Sequence, residues 1–250
     1  LIFMPGLLAL LAHPDDEFFC AGLLATVAAN GVPVHLAWWT RGEGGGSSKR
    51  RFLSNLLPRD WHHRAGEARR SARVLGAASV TFLDAVDPVP AGNQPFAPSE
   101  DLAVTVGKIE KLTAQFKPVL LLTHGAGGEY GHPAHRKLNE AARRAAGRVP
   151  LITFAAALPP ALGGPRYQNR DEPADYVLDT RPFDRQKTAV VRAHRSQSGV
   201  FEGLADPQRR TLERLLEVTR FEGYHVVGSD PARSETLTLL KRWAGEGVAV

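Results

Sequence analysis

Residues 13 to 17 of this 250-residue chain read His13-Pro14-Asp15-Asp16-Glu17, one imidazole and three carboxylates in five positions. Part of that pattern has a local explanation, because aspartate caps helix N-termini and acidic groups favour the positive end of a helix dipole. Capping accounts for one aspartate and Glu17. It leaves His13 beside a second aspartate, and clustered like charges raise the cost of ionisation unless a cation offsets it. A second stretch, Thr123-His124-Gly125-Ala126-Gly127-Gly128-Glu129-Tyr130-Gly131-His132-Pro133-Ala134-His135, sets two histidines around a proline. Their spacing lets His132 and His135 project from one side of a first helical turn. Alone, such histidines are more often surface or capping residues than ligands. Joined to the first cluster, they supply nitrogen and oxygen donors that suit zinc with one coordination position left open. The only cysteine, Cys20, excludes an internal disulfide and a zinc site built from several thiolates.

The fold must bring both stretches together, and the apolar pattern indicates how. Leu7 to Ala12 is a continuous apolar run of strand length, followed by a helix over Glu17 to Ala29 that stops at Asn30-Gly31. Val32 to Trp39 is a second strand, then comes a glycine-rich loop over residues 40 to 48. A helix over Trp61 to Leu75, a strand over Ser79 to Leu83 and a long Pro- and Gly-rich loop over Asp84 to Ser99 follow. Glu100 to Phe116 reads as helix, Val119 to Thr123 as the fourth strand, Pro133 to Ala146 as helix and Leu151 to Ala157 as the fifth strand. The last third is less regular, with a short strand over Tyr176 to Leu178 and helices over Phe183 to Arg195, Pro207 to Thr219 and Ser234 to Trp243. Strands apolar on both faces and separated by amphipathic helices predict a Rossmann-like, doubly wound α/β fold, with a mostly parallel sheet and helices on both faces. In such sheets ligands bind beyond the carboxyl ends of the strands where the winding reverses. The two clusters follow the first and fourth strands.

Composition narrows the class. Hydrophobic residues at 43% and charged residues at 23% are ordinary globular values. A chain of this size buries about 70% of its unfolded surface, so its core needs no metal staple and a bound metal serves function. The net charge of +5 comes from scattered basic residues. The short cluster Lys49-Arg50-Arg51 beside Phe52 reads as a solvated loop, and no nucleic-acid partner is expected. No apolar run approaches the roughly 20 residues of a membrane span. Leu1 to Ala12 lacks a basic leader and reads as a strand, so a cytoplasmic protein is expected, although a chain opening on leucine leaves a removed upstream segment open.

Ala12-His13-Pro14-Asp15-Asp16-Glu17 and Gly131-His132-Pro133-Ala134-His135 resemble the motifs of the PIG-L/LmbE-like N-acetylglucosaminyl deacetylases. Weaker likenesses are Thr40-Arg41-Gly42-Glu43, Arg64 to Glu67, Leu75-Gly76, Phe82-Leu83 with Asp87, and Ala193-His194-Arg195-Ser196-Gln197, so the resemblance spans most of residues 7 to 200 of a single domain. It implies zinc-dependent hydrolysis of an N-acetyl amide on an amino sugar or glycoconjugate, releasing acetate and a free amine. By the same resemblance His13, Asp16 and His135 hold one zinc per chain, and Asp15 is the general base. His132 stabilises the oxyanion and protonates the leaving amine, Tyr130 lies near the oxyanion, and Arg64 and Asp87 contact the sugar.

Two departures stand out. Many members carry an aspartate able to orient the catalytic imidazole where this chain has Ala134, so either another carboxylate such as Glu129 does that work or His132 is less polarised. Phe18-Phe19-Cys20 partly replaces glycines, which alters packing there.

Two other functions fit the same residues, an amidase for a small thiol or sugar conjugate and a non-catalytic sugar-binding domain. Asp15, Asp16 and His132 count against the binder, which has no need of a base. Several residues also have plainer readings: Arg64 as a solvated helix arginine, Asp87 as a turn residue before Pro88, and His62 and His63 as caps or surface groups. His194 reads as a structural hydrogen-bonding group near the site, His35 as a satisfied core histidine and Cys20 as a small apolar filler. The loop from Gly42 to Gly46 lacks the P-loop lysine and reads as a mobile lid.

Overall fold

Leu7, Ala9 and Leu11 of strand β1 (Leu7–Leu11) pack into one apolar cluster and Leu8 and Leu10 into another, and all five are fully buried. A strand apolar on both faces requires a layer on each side. The same alternation recurs in β2 (Val34–Thr40), where Leu36 and Trp38 enter the first cluster and Ala37 and Trp39 the second. These contacts come from a computed structural model, which describes residues 6–45, 61–90, 94–205, 208 and 210–248, with 61–63 as backbone only. The Lys49-Arg50-Arg51 cluster, Gly46 and the side chains of His62 and His63 lie outside the described residues.

Five parallel strands form most of a seven-stranded sheet. With β3 (Ser79–Ala85), β4 (Leu120–Thr123), β5 (Leu151–Phe154), β8 (Tyr176–Asp179) and β9 (Phe221–Val227), its order is β3-β2-β1-β4-β5-β9-β8. Strands β1 to β5 run parallel, while β9 is antiparallel to both of its neighbours. The chain winds outward from β1 through β2 to β3, then returns to place β4 on the other side of β1, so the reversal lies between β1 and β4. Two short strands, β6 (Ala156–Ala157) and β7 (Asn169–Pro173), pair apart from the sheet.

The first face is covered by α1 (Ala21–Ala29), α2 (Trp61–Val74), α6 (Asp184–Ala193), α7 (Ser198–Ala205), α8 (Leu212–Val218) and α9 (Asp230–Ala244). The second is covered by α3 (Leu102–Phe116) and, after a single turn α4 (Gly128–Gly131), by α5 (Pro133–Ala145). Helix α5 buries Ala134, Leu138, Ala141, Ala142 and Ala145, a stripe at helical spacing, and leaves its arginines outward. No helix among the described residues is long and apolar enough to cross a membrane.

The differences from the sequence reading have local causes. The expected helix from Glu17 opens as a 3₁₀ turn over Asp16–Cys20 before α1 begins, because the Asp16 carboxylate turns back to the His13 N–H. The expected strand over 151–157 breaks at Ala155, whose φ of 53° turns its carbonyl toward the Asn169 N–H 2.8 Å away. In the last third, α8 is shorter than expected and starts at Thr211, whose hydroxyl accepts from the Arg214 N–H. Strand β9 is an addition, and its Glu222 is buried for a definite purpose. The Glu222 carboxylate accepts from the N–H groups of Gly22 (2.9 Å) and Leu23 (3.0 Å) at the start of α1 and from the Tyr224 hydroxyl (2.7 Å). It also faces Lys187, a fully buried lysine 3.4 Å away that donates to the Thr219 carbonyl at 2.6 Å.

This buried pair joins α6, β9 and α1, and removing one member leaves the other charged in a dry interior. Lys187→Met is therefore expected to destabilise the fold by about 3 kcal/mol or more. Arg144→Ala, which deletes the exposed Arg144–Glu140 pair, costs under ~1 kcal/mol. Urea unfolding midpoints of the two variants measure the contrast, and equal shifts would deny the pair its structural role.

Candidate active site

Strand β1 ends at Leu11 and β4 at Thr123, side by side at the winding reversal, and the chain leaving each carries one of the histidine-bearing stretches. The Ala12 N–H donates to His124 Nε2 at 3.0 Å, which joins the two stretches directly. After β1 the backbone tightens at once: the His13 N–H donates to Asp16 Oδ2 at 2.6 Å. Asp15 then adopts φ 114° and ψ −22°, a region that favours glycine. Such a conformation costs about 1–3 kcal/mol and persists only where its surroundings over-determine it. Here Glu17 Oε2 accepts from the Asp15 N–H at 3.0 Å, and the other oxygen of Glu17 is hydrogen-bonded to His194 Nε2 in a fully buried contact. From the other side Arg64 donates to the Pro14 carbonyl at 2.5 Å, to Asp15 Oδ1 at 3.2 Å and to the Gly42 carbonyl at 3.2 Å.

His13, Asp16 and His135 converge within this frame. His13 Nδ1 lies 3.3 Å from His135 Nε2 and 3.5 Å from Asp16 Oδ2, and His135 Nε2 lies 3.5 Å from Asp16 Oδ1. Donors bound to one zinc at about 2.0–2.1 Å in a tetrahedron stand about 3.4 Å apart, so these separations fit such a cation. The outer nitrogens support the same reading. His13 Nε2 faces Asp87 Oδ1 at 3.4 Å, and His135 Nδ1 is hydrogen-bonded to Glu129 Oε2. A carboxylate on the far nitrogen is what fixes the tautomer of a metal-binding imidazole. Two groups that overlap this one, His13, His132 and His135, and Asp16, His124 and His135, each offer donor atoms that all lie within 4.8 Å of one another.

Glu129 is the hub of the second stretch. It sits at φ 58°, also in the left-handed region, with its N–H donating to Asn169 Oδ1 at 2.9 Å. Its carboxylate meets His124 Nδ1 at 3.2 Å as well as His135. Burial opposes ionisation of this group, yet the two imidazoles hold its carboxyl well below the ordinary range. Asn169 also explains one glycine: a Cβ on Gly125 would fall 2.1 Å from the Asn169 amide.

His132 does not touch that hub. Its Nδ1 accepts the Ala134 N–H at 3.2 Å, making His132 the N-cap of α5, and its ring stacks on His135 with centroids 4.4 Å apart. The orienting partner is thus a backbone amide, and Glu129 serves His124 and His135. Because Nδ1 accepts, the proton of the neutral ring belongs on Nε2. Burial, with His13 and His135 adding to it, pushes His132 down to about 3. Asp15 moves the other way, pushed up to about 6 by burial and by Asp16 against the pull of Arg64. Tyr130 stands edge-on to His132, 5.7 Å between ring centroids, and desolvation at its hydroxyl with Asp16, Asp15 and Glu129 nearby keeps its phenol protonated although the ring is half exposed.

The structure therefore brings seven of the eight residues singled out by sequence to one cavity of about 400 Å³, lined by His13, Asp15, Asp16, His132, Tyr130, Arg64 and Asp87 among others. His135 lies behind His132, 2% exposed. Arg64 is 5% exposed and so is a buried clamp where a solvated arginine was the plain alternative. Asp87 is no simple turn residue, since it holds His13 and accepts the Gly44 N–H at 3.2 Å. His35 is half-buried and satisfied by the Ser79 hydroxyl at 2.8 Å, and Cys20 is buried. Sequence reading assigned no role to His124 or Asn169. The signal for His124 was a histidine closing a wholly apolar strand, whereas Asn169 carried none.

Residues 8–146 match the family described as PIG-L: GlcNAc-PI de-N-acetylase. The 1D-myo-inositol 2-acetamido-2-deoxy-alpha-D-glucopyranoside deacetylase 1 of Saccharopolyspora erythraea is 32% identical over 168 residues, 59% of this chain and 55% of that protein. The chain thus spans about half the length of that relative. Among solved structures, the 4-carboxy-2-hydroxymuconate hydratase GalB of Pseudomonas putida superposes with a TM-score of 0.67 at 21% identity, covering 90% of this chain and 97% of its own. The N,N'-diacetylchitobiose deacetylase of Pyrococcus horikoshii superposes with a TM-score of 0.62 at 17% identity, covering 89% and 83%. Likenesses at such identities speak for the fold, which a hydratase and a deacetylase share. The family match takes in more than half of the chain and both histidine motifs, and on that ground the chain belongs to the PIG-L family.

Proposed function

We propose that this protein hydrolyses the N-acetyl amide of an amino sugar or glycoconjugate with a single zinc ion held by His13, Asp16 and His135, releasing acetate and a free amine. The observation that carries the reading is the pair of imidazoles that turn one nitrogen each toward Asp16 while Asp87 and Glu129 occupy their outer nitrogens. Zinc bound there supplies an acidified water and a polarised amide carbonyl.

The chain's own groups do the rest. Asp15, which lines the cavity and is fixed through its backbone by Glu17, accepts the proton of the attacking water. His132 presents a protonated Nε2 to the oxygen on which negative charge develops, and the Tyr130 hydroxyl donates to the same oxygen. His132 then delivers its Nε2 proton to the departing amine and recovers one from Asp15, which still carries the proton of the attacking water, so both groups return to their starting state. Arg64 and Asp87 are the charged groups placed to meet sugar hydroxyls, besides their work on Asp15 and His13.

Acetate release from N-acetylglucosamine-type substrates, with and without a chelator, tests the reading. Activity lost to chelation and restored by about one zinc per chain is the expected outcome. Turnover confined to amides lacking an amino sugar would move the assignment to a small-conjugate amidase. Asp15→Asn is expected to keep zinc and lose about 10²- to 10⁴-fold in kcat, the usual range for a general base. Near-normal turnover would place the base elsewhere. His135→Ala should weaken zinc binding sharply, since a three-ligand site reduced to two is poorly held. His132→Ala should keep zinc while kcat falls by roughly 10²- to 10³-fold. Zinc titration followed by assay at saturating metal separates the two, and equal zinc affinities would erase the division of roles.

A further inference from the structure

We infer that the substrate carries an apolar group of several carbons on its amide-bearing sugar, an inference that rests on the deacetylase reading above. The cavity is chemically two-sided. His13, Asp15, Asp16, Arg64 and Asp87 supply its charge at the strand ends. Two apolar segments line the same cavity. One is the loop after β3, with Pro88, Pro90, Pro95 and Phe96; the other is α7, with Val200, Phe201 and Leu204.

Among the described residues six large hydrophobic side chains are exposed, and three of them, Phe96, Tyr130 and Val200, line this one cavity. Val200 is 49% exposed and Phe96 43%. Single exposed hydrophobics scattered over a surface need no explanation, but a set gathered around one cavity marks a binding surface. The proline loop has its φ angles fixed in advance, so docking an apolar group against it orders little further backbone. On α7, a Cβ added to Gly199 or Gly203, both of which line the cavity, meets nothing within 4 Å, so the wall leaves open room.

Polar side chains are few among the apolar lining. Besides Tyr167, Gln197 is the lining residue suited to reading a second polyol ring, but it is 6% exposed and its amide already donates to the Ser196 hydroxyl at 3.1 Å. An apolar group there gains burial and strands few polar partners. The same chemistry could reside in the aglycone or in the acyl chain of the amide, and the ligands of the test separate the two.

The test measures binding by calorimetry to zinc-loaded Asp15→Asn protein, so that affinity is read without turnover. The probes are the methyl, hexyl and phenyl glycosides of N-acetylglucosamine and the methyl glycoside of N-hexanoylglucosamine. At least one extended probe is expected to bind about tenfold or more tightly than the methyl glycoside, the gain from removing a few methylene groups from water. A gain with the hexyl or phenyl glycoside places the apolar group in the aglycone, and a gain with the N-hexanoyl probe places it in the acyl chain. Val200→Ser and Phe96→Ser, introduced into the same protein, should each shrink that ratio toward one. Absent binding, affinities within about twofold, or a gain untouched by both substitutions would overturn the inference. Hydrolysis by the unmodified protein, read as acetate from the N-acetyl probes and hexanoate from the N-hexanoyl probe, is scored separately: no hydrolysis of any probe with the affinity ratio intact would count against the deacetylase reading and leave the apolar walls standing.

Discussion

Two imidazole nitrogens 3.3 Å apart, each within 3.5 Å of one carboxylate, are the constraint on which the rest of the site depends. Lone pairs and negative charge pointed at one spot repel unless a cation takes them. The fold maintains the arrangement by committing the outer nitrogen of each ring to a further carboxylate, Asp87 for His13 and Glu129 for His135. Those carboxylates are themselves fixed, by the Gly44 N–H in one case and by His124 and Asn169 in the other. The result is a layered site whose innermost geometry is set by groups from five separate stretches of chain. The winding reversal of the sheet is the place where β1 and β4 can deliver both motifs to one point.

Backbone strain appears where that geometry is most demanding. Asp15 and Glu129 both occupy left-handed backbone conformations, and each is restrained by a side chain that accepts from its own N–H, Glu17 and Asn169 respectively. Observed strain of this kind points to function, because packing alone would not select it. Arg64 completes the frame by tying Pro14, Asp15 and Gly42 together from α2, so one side chain joins the glycine loop after β2 to the acidic turn after β1.

The legible part of this molecule was the part written in contiguous residues. Strands β1, β2, β4 and β5 announce themselves as apolar runs because the inner parallel strands are buried on both faces, and Pro133 marks the start of α5. The motif residues were readable because His13 to Asp16 and His132 to His135 are neighbours in the chain. Strand β9 was hidden by its own chemistry. Glu222 and Gly223 interrupt its apolar pattern, and the reason for a buried glutamate lies in Lys187 and in the start of α1, both distant in sequence. The orientation of His132 stayed open for a related reason. Proximity in sequence offered Glu129 as one candidate, but a left-handed turn directs that carboxylate to His124 and His135, and the cap of α5 supplies a backbone donor instead. Asn169 has no local pattern at all, since its role exists only once Ala155 breaks β5 and turns the chain back over Glu129.

The central claim is which of the crowded donors take the metal, and X-ray anomalous scattering at the zinc edge from crystals of the zinc-loaded protein tests it most directly. The expected result is one zinc with His13 Nδ1, His135 Nε2 and an Asp16 oxygen at about 2.0–2.2 Å, and with His124 and His132 outside the coordination sphere. A zinc centred on His132 in place of Asp16, or on His124 in place of His13, would contradict the assignment, since both alternatives lie within reach of His135.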